Sequence, residues 1–306
     1  MQSQEPNPHK TQHLAREGGK DLSPLGKLRD ITRRNSHEIN THLKNMYDLE
    51  GLVDESLHIV TESFTKEKGG IYDHEDITND TLTVDALDRL NSAADIPNTQ
   101  KFYKDTHGVE TVEGIIEMHR QKKEESKSNQ AEMAITALMH KILKERFLVV
   151  RASIFDDYKN GIDNLILDKE TGAVICAFDE VLENDSDRNR GISKKVEKIK
   201  KSAVLGGTRA KYGVSLVDKK IVRATSRNIP VFYITLESKD LVNLTNDLYY
   251  SSNGEITETE KRLFNHLVSS IAEQKSMLEK LTLPPIMTKK LADFEESLSV
   301  LKTFIQ

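Results

Sequence analysis

The sequence has no tryptophan, a single cysteine and no apolar stretch long enough to cross a bilayer. A lone cysteine excludes an internal disulfide framework, and Cys176 lies in an apolar strand pattern typical of a small core residue. A membrane-spanning helix needs about 20 apolar residues in a row, and the polar first twenty residues lack an apolar signal-peptide segment. We therefore expect a cytoplasmic protein that does not insert into a membrane.

A large excess of basic charge is also lacking. The 306 residues include 44 Lys and Arg against 49 Asp and Glu, which gives a formal net charge of −5. This balance excludes a uniformly basic nucleic-acid binder but permits local basic patches. The ten histidines form no H-E-x-x-H motif and no closely spaced set with cysteine, so a structural zinc site is not expected. The sequence also has no P-loop, dinucleotide-binding or nucleophile-elbow motif.

Changes in residue pattern divide the chain into four regions. Residues 1–22 are rich in Gln, Pro, Gly and charge, which is typical of a disordered tail. Residues 23–128 predict a helical, loop-rich N-terminal region, in which residues 67–110 carry many turn-forming residues and predict loops with one short helix around residues 84–90. Residues 129–250 combine helical and strand patterns and predict an α/β core. Residues 251–306 predict a helical hairpin.

Three apolar seams with helical spacing lie outside the predicted core. The first predicts a helix over 36–66 and comprises Ile39, Leu43, Met46, Val53, Leu57, Val60 and Phe64. The other two lie in the C-terminal region and comprise Phe264, Leu267, Ile271, Leu278 and Leu281, then Leu291, Phe294, Leu298, Leu301 and Ile305. Such seams either pack on the core or form a surface for a homo-oligomer or a protein partner, and the sequence leaves both open.

Two aspartates in one predicted hairpin raise a functional question. "GIDNLILDKETGAVICAFDEV" (161–181) predicts a strand, a polar turn and a second strand. With the turn centred on Thr171, Asp163 faces Asp179, with Cβ atoms about 5 Å apart. Two such carboxylates repel unless a cation such as Mg²⁺ or Mn²⁺ lies between them. A register slip of one residue would separate them and leave Asp179 at the start of an acidic loop.

The predicted elements over 130–237 follow the order helix, three strands, helix, strand. With Glu132 near the start of the first helix, "DDYKNGID" before the second strand and "AFDEV" on the third, this order resembles the PD-(D/E)XK, or restriction-endonuclease-like, nuclease superfamily. The resemblance implies an α/β fold with an α-β-β-β-α-β core, a central mixed sheet flanked by helices, and helical extensions at both ends. It also implies metal-dependent hydrolysis of nucleic acid, with Glu132, Asp163 and Asp179 at the Mg²⁺ or Mn²⁺ site.

The third-strand triplet departs from the family pattern because Val181 stands where the family has a lysine that assists the attacking water. A lysine of the following helix, "GISKKVEKIKKSA", could replace it. The buried stripe predicted for this helix comprises Ile192, Val196, Ile199 and Ala203. Lys195 flanks that stripe and is the candidate catalytic lysine, whereas Lys194, Lys198 and Lys201 are predicted on the opposite, solvated face. The predicted contacts to a nucleic-acid backbone are Lys194, Lys198, Arg209 and Lys211.

Three functions stay open at this level. The leading one is a nuclease whose catalytic residues are Glu132, Asp163, Asp179 and Lys195. The second is an inactive nuclease-like scaffold that binds nucleic acid or a protein, which Val181 favours. The third is a helical interaction or oligomerisation protein whose functional surface is formed by the apolar seams.

Overall fold

The computed structural model describes residues 21–183, 188–251 and 254–303, apart from the side chains of residues 188–192 and 216. Almost all of the predicted disordered tail, residues 1–22, lies outside these ranges. The helices are α1 (Pro24–Tyr47), α2 (His74–Asn91), α3 (Pro97–His107), α4 (Val112–Glu124), α5 (Lys127–Leu143), α6 (Ile154–Asn160), α7 (Arg188–Val204), α8 (Ser238–Tyr250), α9 (Glu258–Leu278) and α10 (Pro285–Thr303). The strands are β1 (Phe147–Arg151), β2 (Asn164–Asp168), β3 (Val174–Glu183), β4 (Thr208–Val217), β5 (Lys220–Ile229) and β6 (Val231–Glu237). Within the described ranges, no helix is both long and apolar enough to span a bilayer.

A four-stranded mixed sheet with the order β1-β2-β3-β6 lies at the centre of the chain. The β1–β2 and β2–β3 pairs are antiparallel, whereas β3 and β6 are parallel. A parallel pair needs a long crossover connection, and here the connection consists of α7 and the separate two-stranded sheet β4–β5. The prediction of a mixed α/β fold with a mixed sheet and helices is therefore confirmed.

Alternate residues of the sheet pack into two cores on opposite faces. Ile166, Phe178 and Phe232 belong to the core formed with α5, α8, α9 and α10. Leu165 and Ala177 belong to the other core, which includes apolar residues of α1, α7, β4 and β5. Because both faces are covered, β1 and β2 are buried along their whole length. This double burial explains why the strands read as nearly continuous apolar runs.

The two C-terminal helices pack against the first of these cores. Phe294 of α10 stacks on Phe232 of β6 with ring centroids 5.0 Å apart. The seam residues buried in this way are Phe264, Leu267, Ile271, Leu278, Leu291, Phe294, Leu298 and Leu301, whereas Ile305 lies outside the described residues. The interpretation of the C-terminal seams as packing surfaces for the core is confirmed for these eight residues.

Both edge strands of the sheet are hydrogen-bonded to other parts of the chain. On β6, the Tyr233 backbone N–H donates to Gln274 Oε1 (2.9 Å) and its carbonyl accepts from Gln274 Nε2 (2.7 Å). On β1, the Arg151 N–H donates to the Leu57 carbonyl (2.9 Å), and the Ile59 N–H donates to the Arg151 carbonyl (3.0 Å). These hydrogen bonds explain why the polar Gln274 interrupts an apolar seam of the sequence.

The helix predicted over 36–66 is wrong in its extent. Helix α1 ends at Tyr47, where Asp48 adopts a positive φ of 57° and its N–H donates to the Leu43 and Lys44 carbonyls. This left-handed residue ends the helix. The following segment contains two short 3₁₀ turns, Thr61–Phe64 and Lys66–Lys68. Leu57 and Phe64 are nevertheless buried, whereas Met46 is exposed, so their spacing reflects burial rather than one continuous helix.

Helices also replace segments that were predicted as loops or turns. Helix α2 begins with a capping box of Asp73 and Asp76, and α3 begins with Pro97. Both start signals lie in the polar stretch 67–110, where few apolar residues mark a helical period. The stretch "IFDDYKN", whose Asp and Asn residues are typical of a turn, forms α6, which is capped by Ser153 and ends at Gly161 with a φ of 61°. The short helix predicted around residues 84–90 lies within α2, whereas the polar helices α3 and α6 were missed.

Candidate functional site

Acidic side chains meet where β2 begins and β3 nears its end. Asp163 precedes the first residue of β2, and its N–H donates to the Phe178 carbonyl (2.9 Å). Leu165 pairs with Ala177, as the sequence predicts, and a bulge then pairs Leu167 with Val174 instead of residue 175. The predicted register is therefore confirmed at the end of the hairpin that carries Asp163.

The side chain that contacts Asp163 is Glu180. Asp163 Oδ2 accepts the backbone N–H of Glu180 (2.6 Å), which brings the two carboxyl groups close together. Glu180 Oε1 accepts from the Asn164 amide. Its other oxygen, Oε2, is buried and has no hydrogen-bond partner among the described residues. A buried carboxylate oxygen without a donor is costly, so this position is a candidate for a cation.

Burial controls the protonation of the Asp163–Glu180 pair. Desolvation raises the pKa of Asp163 to about 7, and the negative charge of Glu132 contributes further. The pKa of Glu180 is raised well above its ordinary value, first by desolvation and then by the charge of Asp163. Two adjacent carboxyl groups that cannot both ionise easily retain a proton to higher pH. A divalent cation would favour the ionised form of both groups.

Asp179 projects to the other face of β3 because neighbouring residues of a strand alternate. Its side chain is 4% exposed, and its two oxygens contact different lysines of α7. Lys195 binds Oδ1, and Lys198 Nζ lies 2.8 Å from Oδ2. The predicted approach of Lys195 to the acidic strand is confirmed. Lys198 is exposed, as predicted, but it does not point away from the acidic strand, because it lies one turn from Lys195 and reaches the same carboxylate.

Glu132 of α5 is paired with Arg151, the last residue of β1. Glu132 Oε2 lies 2.6 Å from Arg151 Nη2, which also donates to Asn129 Oδ1 (2.8 Å). Arg151 is 4% exposed, and its Nε has no partner among the described residues. Desolvation raises the pKa of Glu132, although the Arg151 charge opposes this shift. Thr136, one turn after Glu132, donates to Asn164 Oδ1 (2.9 Å), so α5 contacts both the arginine and the carboxylate pair.

The predicted nucleic-acid contacts occupy different environments. Lys194 and Arg209 are exposed. Lys211 Nζ lies 2.5 Å from Asp80 and 4.8 Å from the centre of the Tyr72 ring. Its positive charge is therefore already paired with a carboxylate of the protein, which makes Lys211 a weaker candidate for a phosphate contact. Lys198 is half-exposed while it binds Asp179.

The predicted metal ligands do not form one cluster. In residues 21–183, 188–251 and 254–303, no group of three or more His, Cys, Asp or Glu side chains is placed to hold a metal ion. Arg151 binds Glu132, and two lysines bind Asp179. Mg²⁺ is commonly held by only one or two protein carboxylates, with water and substrate phosphate as the other ligands. Asp163 together with the unpartnered oxygen of Glu180 fits such a site.

Glu180 and Arg151 were missed in the sequence, although each carried a signal. Glu180 continues the alternation of Cys176 and Phe178, which are buried on the α5 side of the sheet. An acidic residue that interrupts such a stripe, here before Leu182, either lies near an edge or has a buried role. Arg151 likewise ends the apolar run "FLVVR". The sequence alone did not show how far β1 and β3 continue before the chain reaches solvent.

Comparison with known proteins does not assign this chain to a family. No protein-family model, curated protein or solved structure matches this chain. The functional interpretation is therefore based on the strand order and on the contacts of the acidic and basic side chains.

Proposed function

We propose that this protein hydrolyses phosphodiester bonds of nucleic acid in a reaction that depends on Mg²⁺ or Mn²⁺, and that its core is of the restriction-endonuclease type. The observation that carries this proposal is the Asp163–Glu180 pair, in which a buried oxygen of Glu180 has no partner among the described residues. The element order supports it, since α5, three antiparallel strands, α7 and the parallel strand β6 follow one another. Helix α6 and the β4–β5 sheet are additions to that order.

In this proposal the carboxylates of Asp163 and Glu180 hold the cation. A cation held there would supply an activated water and neutralise charge on the phosphoryl oxygens. Asn164 orients Glu180 through its amide, and Thr136 in turn holds Asn164. Glu132, fixed by Arg151, adds negative charge beside the pair. Lys195 supplies positive charge on the opposite face of β3, where it binds Asp179.

The experiment is cleavage of end-labelled DNA and RNA, each as single strand and duplex, with Mg²⁺, Mn²⁺ or a chelator. We expect metal-dependent cleavage by the wild type. Asp163→Asn and Glu180→Gln should each lower the rate about 100-fold or more, because each removes a charged ligand of the cation.

Glu197→Gln is the matched control, since Glu197 is an exposed carboxylate of α7 that pairs with Lys200. Its cleavage rate should equal that of the wild type. Cleavage that persists in Asp163→Asn, or that needs no metal, would contradict the proposed site.

A second candidate function is binding without cleavage by the same core. Val181 in place of the family's lysine favours it, as does the pairing of both Asp179 oxygens with lysine. The same assay separates the two functions. Nucleic-acid binding without cleavage of any of the four substrates would favour the inactive scaffold.

A further inference from the structure

The environment of Asp179 differs from that expected of a metal ligand. Its carboxylate is almost completely buried, and one lysine ammonium contacts each of its oxygens. Among these three groups, the two positive charges exceed the single negative charge by one. A cation would meet repulsion at this point, whereas an anion would be attracted.

The two ammonium groups are accessible as well as fixed. The Lys195 side chain is 31% exposed and that of Lys198 is 51% exposed. A lysine ammonium has three N–H donors, so each group can bind Asp179 and still donate to a second acceptor. Residues three apart on a helix lie on the same side of it. The two lysines therefore present neighbouring donors beside a shared carboxylate.

Gly161 leaves the space that Lys198 occupies. A Cβ atom at this position would lie 2.5 Å from Lys198 Nζ, so any side chain there would displace the end of Lys198 from its present position. Gly161 also ends α6 with a φ of 61°, a conformation that favours glycine. Lys198 Nζ therefore lies beside the loop that leads from α6 into β2.

We propose that Asp179 is a positioning residue that holds Lys195 and Lys198 as a receptor for a backbone phosphate of nucleic acid, next to the Asp163–Glu180 pair. This inference rests on the proposed function for its substrate class, and it replaces the predicted role of Asp179 as a metal ligand. The lysines donate to the non-bridging oxygens of the phosphate. Asp179 keeps both ammonium groups in place and limits their positive charge.

Binding of nucleic acid without metal tests the lysines. Fluorescence anisotropy of labelled single-stranded and duplex oligonucleotides is measured in chelator at several salt concentrations. Lys195→Met and Lys198→Met should each weaken binding about tenfold and reduce the slope of log K against log salt by about 1. Lys200→Met, which removes a lysine of the same helix that pairs with Glu197, should change neither quantity.

A variant that combines Asp179→Asn with both lysine substitutions controls for folding, because it leaves no buried charge without a partner. It should unfold at the same temperature as the wild type. Its affinity for the oligonucleotide should fall by the combined effect of the two lysine substitutions. Wild-type affinity in the single lysine variants would overturn the inference. The lysines would then serve only to neutralise Asp179. Displacement of the oligonucleotide by low-millimolar inorganic phosphate would also overturn it, in favour of a site for free phosphate.

Metal binding tests Asp179 itself. Mn²⁺ binding, followed by thermal stabilisation, should persist in Asp179→Asn within about threefold of the wild type and be lost in Asp163→Asn. Loss in both variants would make Asp179 a metal ligand and overturn its positioning role, while leaving the proposed nuclease function intact. Absence of Mn²⁺ binding in the wild type would contradict the metal site of the proposed function, and the lysine variants in chelator would still decide the phosphate receptor.

Discussion

Two buried glutamates, Glu260 of α9 and Glu180 of β3, are compensated in opposite ways. Lys141 Nζ lies 2.8 Å from both carboxylate oxygens of Glu260, and the Thr257 N–H also donates to it. Glu180 has the Asn164 amide on one oxygen, no partner among the described residues on the other, and a second carboxyl group beside it. The first arrangement stabilises the fold, whereas the second is unfavourable without an added cation. Such unsatisfied groups are rare in folded proteins and often mark functional positions.

The largest expected effect is the removal of the compensated carboxylate. Glu260→Ala should lower the free energy of unfolding by about 3 kcal/mol, because it leaves Lys141 poorly solvated and without its ion-pair partner. Urea denaturation measures this change. Glu258→Ala is the control, since Glu258 is exposed and pairs with an exposed lysine, and it should change stability by less than about 0.5 kcal/mol. Equal effects of the two variants would show that burial of Glu260 does not determine its contribution to the free energy of unfolding.

A smaller effect of opposite sign is expected at the uncompensated carboxylate. Glu180→Gln should raise the free energy of unfolding of the metal-free protein at pH 8 by about 1 to 2 kcal/mol. The amide can still accept from Asn164, and its NH₂ group can donate to Asp163 where a carboxylate cannot. Urea denaturation in chelator measures the gain. A variant less stable than the wild type would contradict the view that Glu180 is strained without a cation.

The pH dependence of stability sharpens the same comparison. The pKa of Asp163 is raised to about 7 in the folded protein, so the folded state binds a proton that the unfolded chain has already released. Stability of the metal-free protein should therefore fall as pH rises from about 5 to 7, and the Asp163 proton alone accounts for about 1.4 kcal/mol per pH unit at most. The double variant Asp163→Asn/Glu180→Gln should show a flatter profile over this range. Saturating Mn²⁺ should flatten the wild-type profile as well.

The sequence predicted the elements that have a strong apolar period or a clear turn signal. Helix α5 and the β2–β3 register at Leu165 and Ala177 were predicted in this way. The stretch "AKYGVSLVDKKIVRAT" likewise predicts a hairpin that turns at Asp218 and Lys219, and β4 and β5 form this hairpin. Asp218 and Lys219 both adopt the positive φ values of a tight hairpin turn. Local backbone preference and burial agree at these places, so the pattern determines the structure.

The elements that the sequence did not predict are those determined by distant contacts. Arg223 of β5 is buried because its guanidinium donates to Ser63 Oγ and to the carbonyls of Lys68 and Glu50. These contacts hold an irregular segment whose apolar residues had looked helical. Similarly, the roles of Asp179 and Glu180 depend on which face of β3 meets α5 and which meets α7. No local pattern distinguishes those two faces.

The hydrogen bonds of Gln274 and of the Leu57–Ile59 segment have a consequence for the behaviour of the whole molecule. An exposed strand edge can recruit a strand from another chain, which leads to domain exchange or aggregation. At Tyr233 the Gln274 side chain takes the place of a neighbouring strand, and at Arg151 the Leu57–Ile59 backbone does the same. The central sheet is therefore closed to strand addition at these two points, and an extended peptide could not pair there without first displacing part of the protein's own chain.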